Sequence, residues 1–258
     1  MTDAKNLSHE RFSRYAQRYV DSSVHAAQNE LELLVTLAEP HPDWRVLDVA
    51  TGGGHTALAF APHVREVIAY DLSVTMLDAA KRHLDAKGAD NTRYVVGDAE
   101  HLAFAPNTFD LITCRVAVHH FPDAYRFMVA CQRALKPNGL LLIQDHVQPE
   151  SPRDAQYLEA FERLRDPSHH RAFSMSEWRG LYLDAGLTVE FADIIKKEAD
   201  FLAWAQRQDC TPQVIERLTI LMAQAPQVAR DWFEPHAVGT PDAAFKHVYV
   251  VIGGRKSL

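Results

Sequence analysis

The chain has 258 residues, enough for one large domain or a domain with a cap, and its 47% hydrophobic and 24% charged content excludes a disordered chain. No apolar run approaches the roughly 18 residues of a membrane span, and the polar opening Met1 to Glu10 lacks the apolar centre of a signal peptide, so a cytoplasmic protein is expected. A net charge of −7 argues against a nucleic-acid substrate, whose phosphates call for clustered Lys and Arg.

Residues 8 to 38 carry Phe12, Tyr15, Ala16 and Tyr19, then Leu31, Leu34, Val35 and Ala38, at helical spacing, and Pro40 and Pro42 close the segment. The aromatics read either as core contacts or as a lid helix over a ligand mouth. The run Arg45 to Val49 then passes through Ala50-Thr51-Gly52-Gly53-Gly54 into a helical pattern through Leu58. This is a buried parallel strand, a tight turn and a helix N-terminus, the corner where nucleotide-like ligands meet backbone N–H groups.

Glu66 to Asp71 is a second strand ending in an acid, followed by the N-cap Ser73 and a helix stopped at Gly88. Thr92 to Val96 is a third strand, with Asp98 just beyond it, and Phe109 to Cys114 a fourth, followed by the loop Arg115 to Pro122. Asp123 caps a helix to Leu135, broken by Lys136-Pro137-Asn138-Gly139, and Leu140 to Asp145 is a fifth, nearly continuous apolar strand, as in a parallel sheet covered on both faces. The alternation then stops. Residues 146 to 173 read as a partly helical insertion, Ser174-Met175-Ser176-Glu177 as a capping box, and Leu187 to Ile195 as a strand. Residues 199 to 234 read as two helices split near Pro212, and His247 to Ile252 as a last strand.

Two ligands compete for the glycine corner. Gly52-x-Gly54-x-x-Ala57 satisfies the loose dinucleotide fingerprint, with Asp71 about 20 residues on for ribose hydroxyls. Asp48 discriminates, because its carboxylate would repel a pyrophosphate but holds the ammonium of S-adenosylmethionine (SAM) by a charge-assisted hydrogen bond.

The motifs Val46 to Gly54, Tyr70-Asp71-Leu72-Ser73, Gly97-Asp98-Ala99 and Leu135 to Gly139 together resemble class I SAM-dependent methyltransferases of the type 11 group, which includes the ubiquinone/menaquinone-biosynthesis C-methyltransferases. The resemblance covers residues 40 to 195, most strongly to 145. It implies an α/β, doubly wound Rossmann-like sheet of seven strands in the order 3-2-1-4-5-7-6, the last antiparallel, with helical cap segments. The single domain 1–258 would comprise an N-terminal helical lid (1–40), a cofactor core (41–145) and cap insertions (146–173 and 199–234). The implied cofactor site is Asp48, Ala50, Thr51, Gly52, Gly53 and Gly54 around the methionine part, Asp71 and Leu72 at the ribose, Asp98 and Ala99 at the adenine, and Arg115. Ala50-Thr51 replaces the family's usual Gly-Cys, and the Asn/Asp-Pro-Pro-Tyr motif of adenine-N6 and glutamine methylation is absent.

The expected activity is transfer of a methyl group from SAM to a small-molecule acceptor, by C- or O-methylation. The rivals are an NAD(P)-dependent oxidoreductase and a SAM-binding scaffold without catalysis. His119 and His120, on the loop after the fourth strand, are the candidate bases, with activity falling below a pKa near 6 to 7. Tyr15, Tyr19, His169 and His170 are candidate acceptor contacts. No metal is expected, because the fourteen histidines show no HExxH or Cys–His zinc spacing and read mostly as solvated. Cys114, Cys131 and Cys210 read as reduced packing thiols, and the acceptor's identity and a homodimer are left open.

Overall fold

In the computed structural model, which describes residues 3–20 and 27–257, strands β1 (Arg45–Val49), β2 (Glu66–Asp71), β3 (Thr92–Val96), β4 (Phe109–Arg115) and β5 (Leu135–Gln148) form a parallel sheet. A two-residue strand β6 (Phe173–Ser174) pairs with the end of β5, and the hairpin of β7 (Leu187–Asp200) and β8 (Ala244–Lys256) completes the sheet in the order β3-β2-β1-β4-β5-β8-β7. With the short β6 set aside this is the expected order, and β8 runs antiparallel to both its neighbours.

Alternation along the strands sends side chains to two cores. Leu47, Val49, Ile112, Leu141 and Ile143 face the helices α5 (Ala124–Ala134) and α7 (Met175–Asp184), with Trp178 and Tyr182 fully buried among them. Val46, Ala69, Leu111, Leu140 and Leu142 face the other layer, of α2 (Gln28–Ala38), α3 (His55–Phe60) and α4 (Val74–Ala86). Helix α1 (Asp3–Val20) lays Phe12, Ala16 and Tyr19 on Met76 and Ala79. The expected helical span 8 to 38 is thus two helices, and its residues 21–26 lie outside the described residues.

The local start and stop signals act as their chemistry requires. Ser73 accepts the Met76 N–H, Asp123 accepts the Arg126 N–H, and Ser174 with Glu177 forms a complete capping box. Strand β5 departs from expectation. It begins five residues before Leu140, where Leu135 pairs with Phe109 of β4, and runs on to Gln148 because pairing with β8 and β6 carries it beyond Asp145. Residues 199–234 hold three helices rather than two, α8 (Phe201–Gln206), α9 (Pro212–Ala223) and α10 (Gln227–Phe233), because Pro226 ends the α9 run as well. With α6 (Pro152–Arg165) they bury a third apolar cluster around Phe161, Trp204, Phe233 and Phe245, over the hairpin end of the sheet.

Candidate functional site

A cavity opens beyond the carboxyl ends of β1 to β4, where ligands sit in doubly wound sheets. The glycine corner forms its floor. Gly52 and Gly54 adopt φ of +55° and +80°, and Ala50, with φ +53°, holds a left-handed conformation that costs an alanine more than the glycine it replaces. A Cβ on Gly53 would lie 3.0 Å from the Tyr19 carbonyl oxygen, so the end of α1 sits directly on the turn, and a His55 ring nitrogen bonds that same carbonyl at 3.1 Å. A Cβ on Gly54 would strike Leu84, and Gly54 does not border the cavity; its role is the close packing of α3 on α4.

Each predicted acid reaches this cavity already oriented. Asp48, 1% exposed, accepts the Thr51 hydroxyl at 2.6 Å and the Thr113 hydroxyl at 2.8 Å, and burial pushes its pKa up to about 6. Asp71 accepts the Gly52 N–H at 3.1 Å and the Ser73 N–H at 3.0 Å, which ties the second strand to the first turn, and burial raises its pKa. Asp98 is partly buried, which alone would raise its pKa, but the Lys5 ammonium at 2.6 Å holds it below the usual carboxylate value. Lys5 also lies 2.5 Å from Glu100, so α1 is pinned across the Asp98 end of the cavity, a tie that no sequence motif signals. Thr51, Leu72, Ala99 and Arg115 border the cavity as well.

A second cavity adjoins the first and shares Phe12, Tyr19, Arg115, Val116 and His120 with it. Val116, a β-branched residue at φ +54°, occupies the strained turn between them. The two candidate bases divide here: His120 borders both cavities and His119 only the second. Both are buried, which lowers their pKa, His119 the more strongly, with His120 and His169 as neighbouring imidazoles adding to the shift. Their tautomers follow from their partners. His120 Nδ1 faces the Ser168 carbonyl at 2.9 Å and His119 Nδ1 the Asp145 carboxylate at 2.5 Å, so each Nδ1 carries the hydrogen and each Nε2 is left as a base.

The other predicted acceptor contacts separate. Tyr19 borders both cavities, and its hydroxyl accepts from Gln208 at 3.2 Å. Tyr15 borders neither; the Arg18 guanidinium covers its ring at 4.8 Å. His169, buried behind His119, bonds Glu159 at 3.1 Å, and burial, which would lower its pKa, is outweighed by that partner. His170 is exposed and borders neither cavity; its N–H and that of Arg171 donate to the His119 carbonyl at 2.9 and 3.0 Å. His169 and His170 therefore brace the loop after β4. The expectation of solvated histidines is corrected in the same region, where His119, His120, His169 and His247 are buried and His146 half-buried with its ring against His119. The insertion folds back over the loop and excludes water from them.

Asp145 was read only as a strand end. It accepts the Ala117, Val118 and His146 N–H groups at 3.1, 2.6 and 2.7 Å besides its bond to His119, so one buried carboxylate sets the loop that bears both histidines. Cys114 and Cys131 are buried and Cys210 half-buried, all free thiols, and burial raises all three pKa values. No helix among the described residues is long and apolar enough to cross a membrane.

Comparison with known proteins agrees with this geometry. The family model described as a methyltransferase domain matches residues 47–143. The uncharacterized methyltransferase YcgJ of Bacillus subtilis is 36% identical over 222 residues, 86% of this chain and 88% of YcgJ. The crystal structure of BH2331 from Bacillus halodurans C-125 superposes with a TM-score of 0.85 at 33% identity, covering 89% of this chain and all of that one. The ubiquinone/menaquinone biosynthesis C-methyltransferase UbiE of Ectopseudomonas mendocina is 36% identical over 134 residues, about half of each chain. The chain belongs to the class I SAM-dependent methyltransferases, within the group that shares this methyltransferase domain.

Proposed function

We propose that the first cavity holds SAM and that the second receives a small-molecule acceptor, methylated at carbon or oxygen with His120 as the base. The observation that carries this reading is the position of His120, whose ring borders both cavities and whose Nδ1 is committed to Ser168. The cavity's chemistry suits the cofactor. Asp48, Asp71 and Asp98 offer acceptors to an ammonium, two hydroxyls and an amino group, and Lys5, the cation beside them, is already paired with Asp98 and Glu100, which leaves little welcome for a pyrophosphate.

SAM supplies an electrophilic methyl group on a sulfonium. His120 Nε2 would take the acceptor's proton as the methyl group passed in line from the sulfonium, which would leave as the neutral thioether. His119, held by Asp145, supports the same loop and offers a second base nitrogen to the acceptor cavity. Helix α1 serves as the lid, since Lys5, Ser8, Phe12 and Tyr19 line the cofactor cavity from above, and α6 and α8 serve as the cap on the acceptor side through Arg165 and Trp204.

The test uses methyl-labelled SAM with a small-molecule extract. Label is expected in a small organic product, and His120→Ala should lower that transfer by about 100-fold or more while SAM affinity holds. Label confined to protein or nucleic acid, or an unaffected His120→Ala variant, would contradict the proposal.

A further inference from the structure

The second cavity is unusual in its charge. Arg165 and Arg207 stand together in its wall with Trp204, His247 and Tyr249, and neither arginine borders the first cavity. Arg165 spends Nε and Nη2 on the Trp204 carbonyl at 3.3 and 3.2 Å and lays its guanidinium over the Trp204 ring at 4.8 Å. The Arg207 guanidinium makes no hydrogen bond or ion pair among the described residues, although it is only half exposed to solvent. Burial, and then the like charge of Arg165, lower its pKa against the weaker opposing pull of Tyr249, Tyr19 and Asp200, so the fold holds two cations close together.

Four acids face this pair: Glu162 toward Arg165, 3.9 Å from His247, Asp200 toward Arg207, accepting the Ala203 N–H at 2.6 Å, and Glu30 and Asp166 at the cavity wall. Glu30 pairs with Lys197 at 2.6 Å and accepts from Gln144, and Asp166 accepts from Ser168 and Gln208 and lies 3.3 Å from Arg11. Two adjacent arginines with spare N–H groups, on an aromatic wall inside a cavity, are the recognition chemistry of a planar or tetrahedral oxyanion. The same field opposes a cation. The ligating atoms of His146, Glu162 and His247 lie within 4.8 Å of one another, yet Arg165, Arg207 and Lys197 all face His247 and would repel a metal ion there.

We infer that the acceptor is an anion, and that Arg207, with Arg165 beside it, binds its carboxylate or phosphate group in the second cavity, at a wall the first cavity does not share. This rests on the reading of that cavity as the acceptor site. An anionic group anchored there leaves the remainder of the molecule pointing along Tyr249 and His119 toward His120 and Arg115, where the two cavities meet. Recognition is thereby separated from chemistry by the length of the cavity, so the class of acceptor is set by cap residues from α8 and α6 rather than by the cofactor core.

The test uses the full chain saturated with S-adenosylhomocysteine and three probes of similar shape, benzoate, phenyl phosphate and neutral benzamide, followed by calorimetry. At least one of the two anions is expected to bind tenfold or more tightly than benzamide, and which one does so distinguishes a carboxylate acceptor from a phosphorylated one. Arg207→Gln should erase that preference with S-adenosylhomocysteine affinity unchanged, which also reports that the variant is folded, and Arg207→Lys should retain part of it. Equal binding of all three probes, or an anion preference that survives Arg207→Gln, would overturn the inference. Failure of the wild type to bind S-adenosylhomocysteine would instead count against the cofactor reading, and the anion preference is then measured without it.

Discussion

Asp145 Oδ1 lies 2.5 Å from His119 Nδ1, with the carboxylate fully buried and the imidazole 6% exposed. A buried carboxylate surrounded only by donors fixes both the loop and the tautomer of the histidine. Asp145→Asn replaces one acceptor oxygen by an NH2 that confronts N–H groups, at a cost of about 1 to 3 kcal/mol. The expected result is a melting temperature lowered by several degrees and turnover reduced at least tenfold with SAM affinity retained. Unchanged turnover would make Asp145 a purely structural residue.

Asp71 has two tasks, since it bonds the Gly52 and Ser73 N–H groups and is assigned the ribose hydroxyls. Asp71→Ala should therefore weaken SAM binding by at least tenfold, at about 1.5 to 3 kcal/mol for each bond to a charged acceptor, and also lower the melting temperature. Isothermal titration separates these effects. Wild-type affinity in a less stable variant would remove Asp71 from the cofactor site.

The pH dependence follows from burial. Because burial lowers the pKa of His119 and His120, the base stays unprotonated below the ordinary histidine value, and activity should hold through pH 6.5 and fall only at lower pH, below the 6 to 7 limit expected for an unperturbed histidine. Stability behaves differently. The folded state keeps His119, His146 and His247 neutral while the unfolded chain protonates them near 6.5, so stability is full above that pH and declines as pH falls below it. The slope for each histidine is about 0.7 kcal/mol per pH unit around pH 6.5 and approaches about 1.4 well below it, and buried Asp48, with its pKa of about 6, begins to offset it below pH 6. Denaturation of the wild type and of His247→Gln between pH 7 and 6 should show a shallower slope in the variant. Equal slopes would contradict the neutral buried state of His247.

The cofactor half was legible because its signals are local. An acid at a strand end, an N-cap two residues on and glycines at a turn specify their own geometry, and Asp71 and Ser73 are bonded to each other across those two residues. The second cavity depends on contacts between distant segments. Tyr15 and Tyr19 share one helix face in sequence, yet only the end of α1 reaches the glycine turn, so Tyr19 borders both cavities and Tyr15 lies under Arg18. Arg165 and Arg207 come together only once the insertion and α8 close over β5 and β8, and no spacing in the chain announces that meeting. His169 and His170, candidate acceptor contacts by sequence, border neither cavity: the His170 N–H bonds the His119 carbonyl and the His169 ring lies against that of His119.

The central claim is that the cavity bounded by Asp48, Asp71 and Asp98 is built for SAM and not for a dinucleotide. Titration calorimetry of the purified chain with SAM, S-adenosylhomocysteine, NAD and NADP tests it most directly. Micromolar binding of the first two is expected, each weakened by Asp71→Ala, with no heat from the others. Micromolar binding of NAD or NADP with no response to SAM would contradict it.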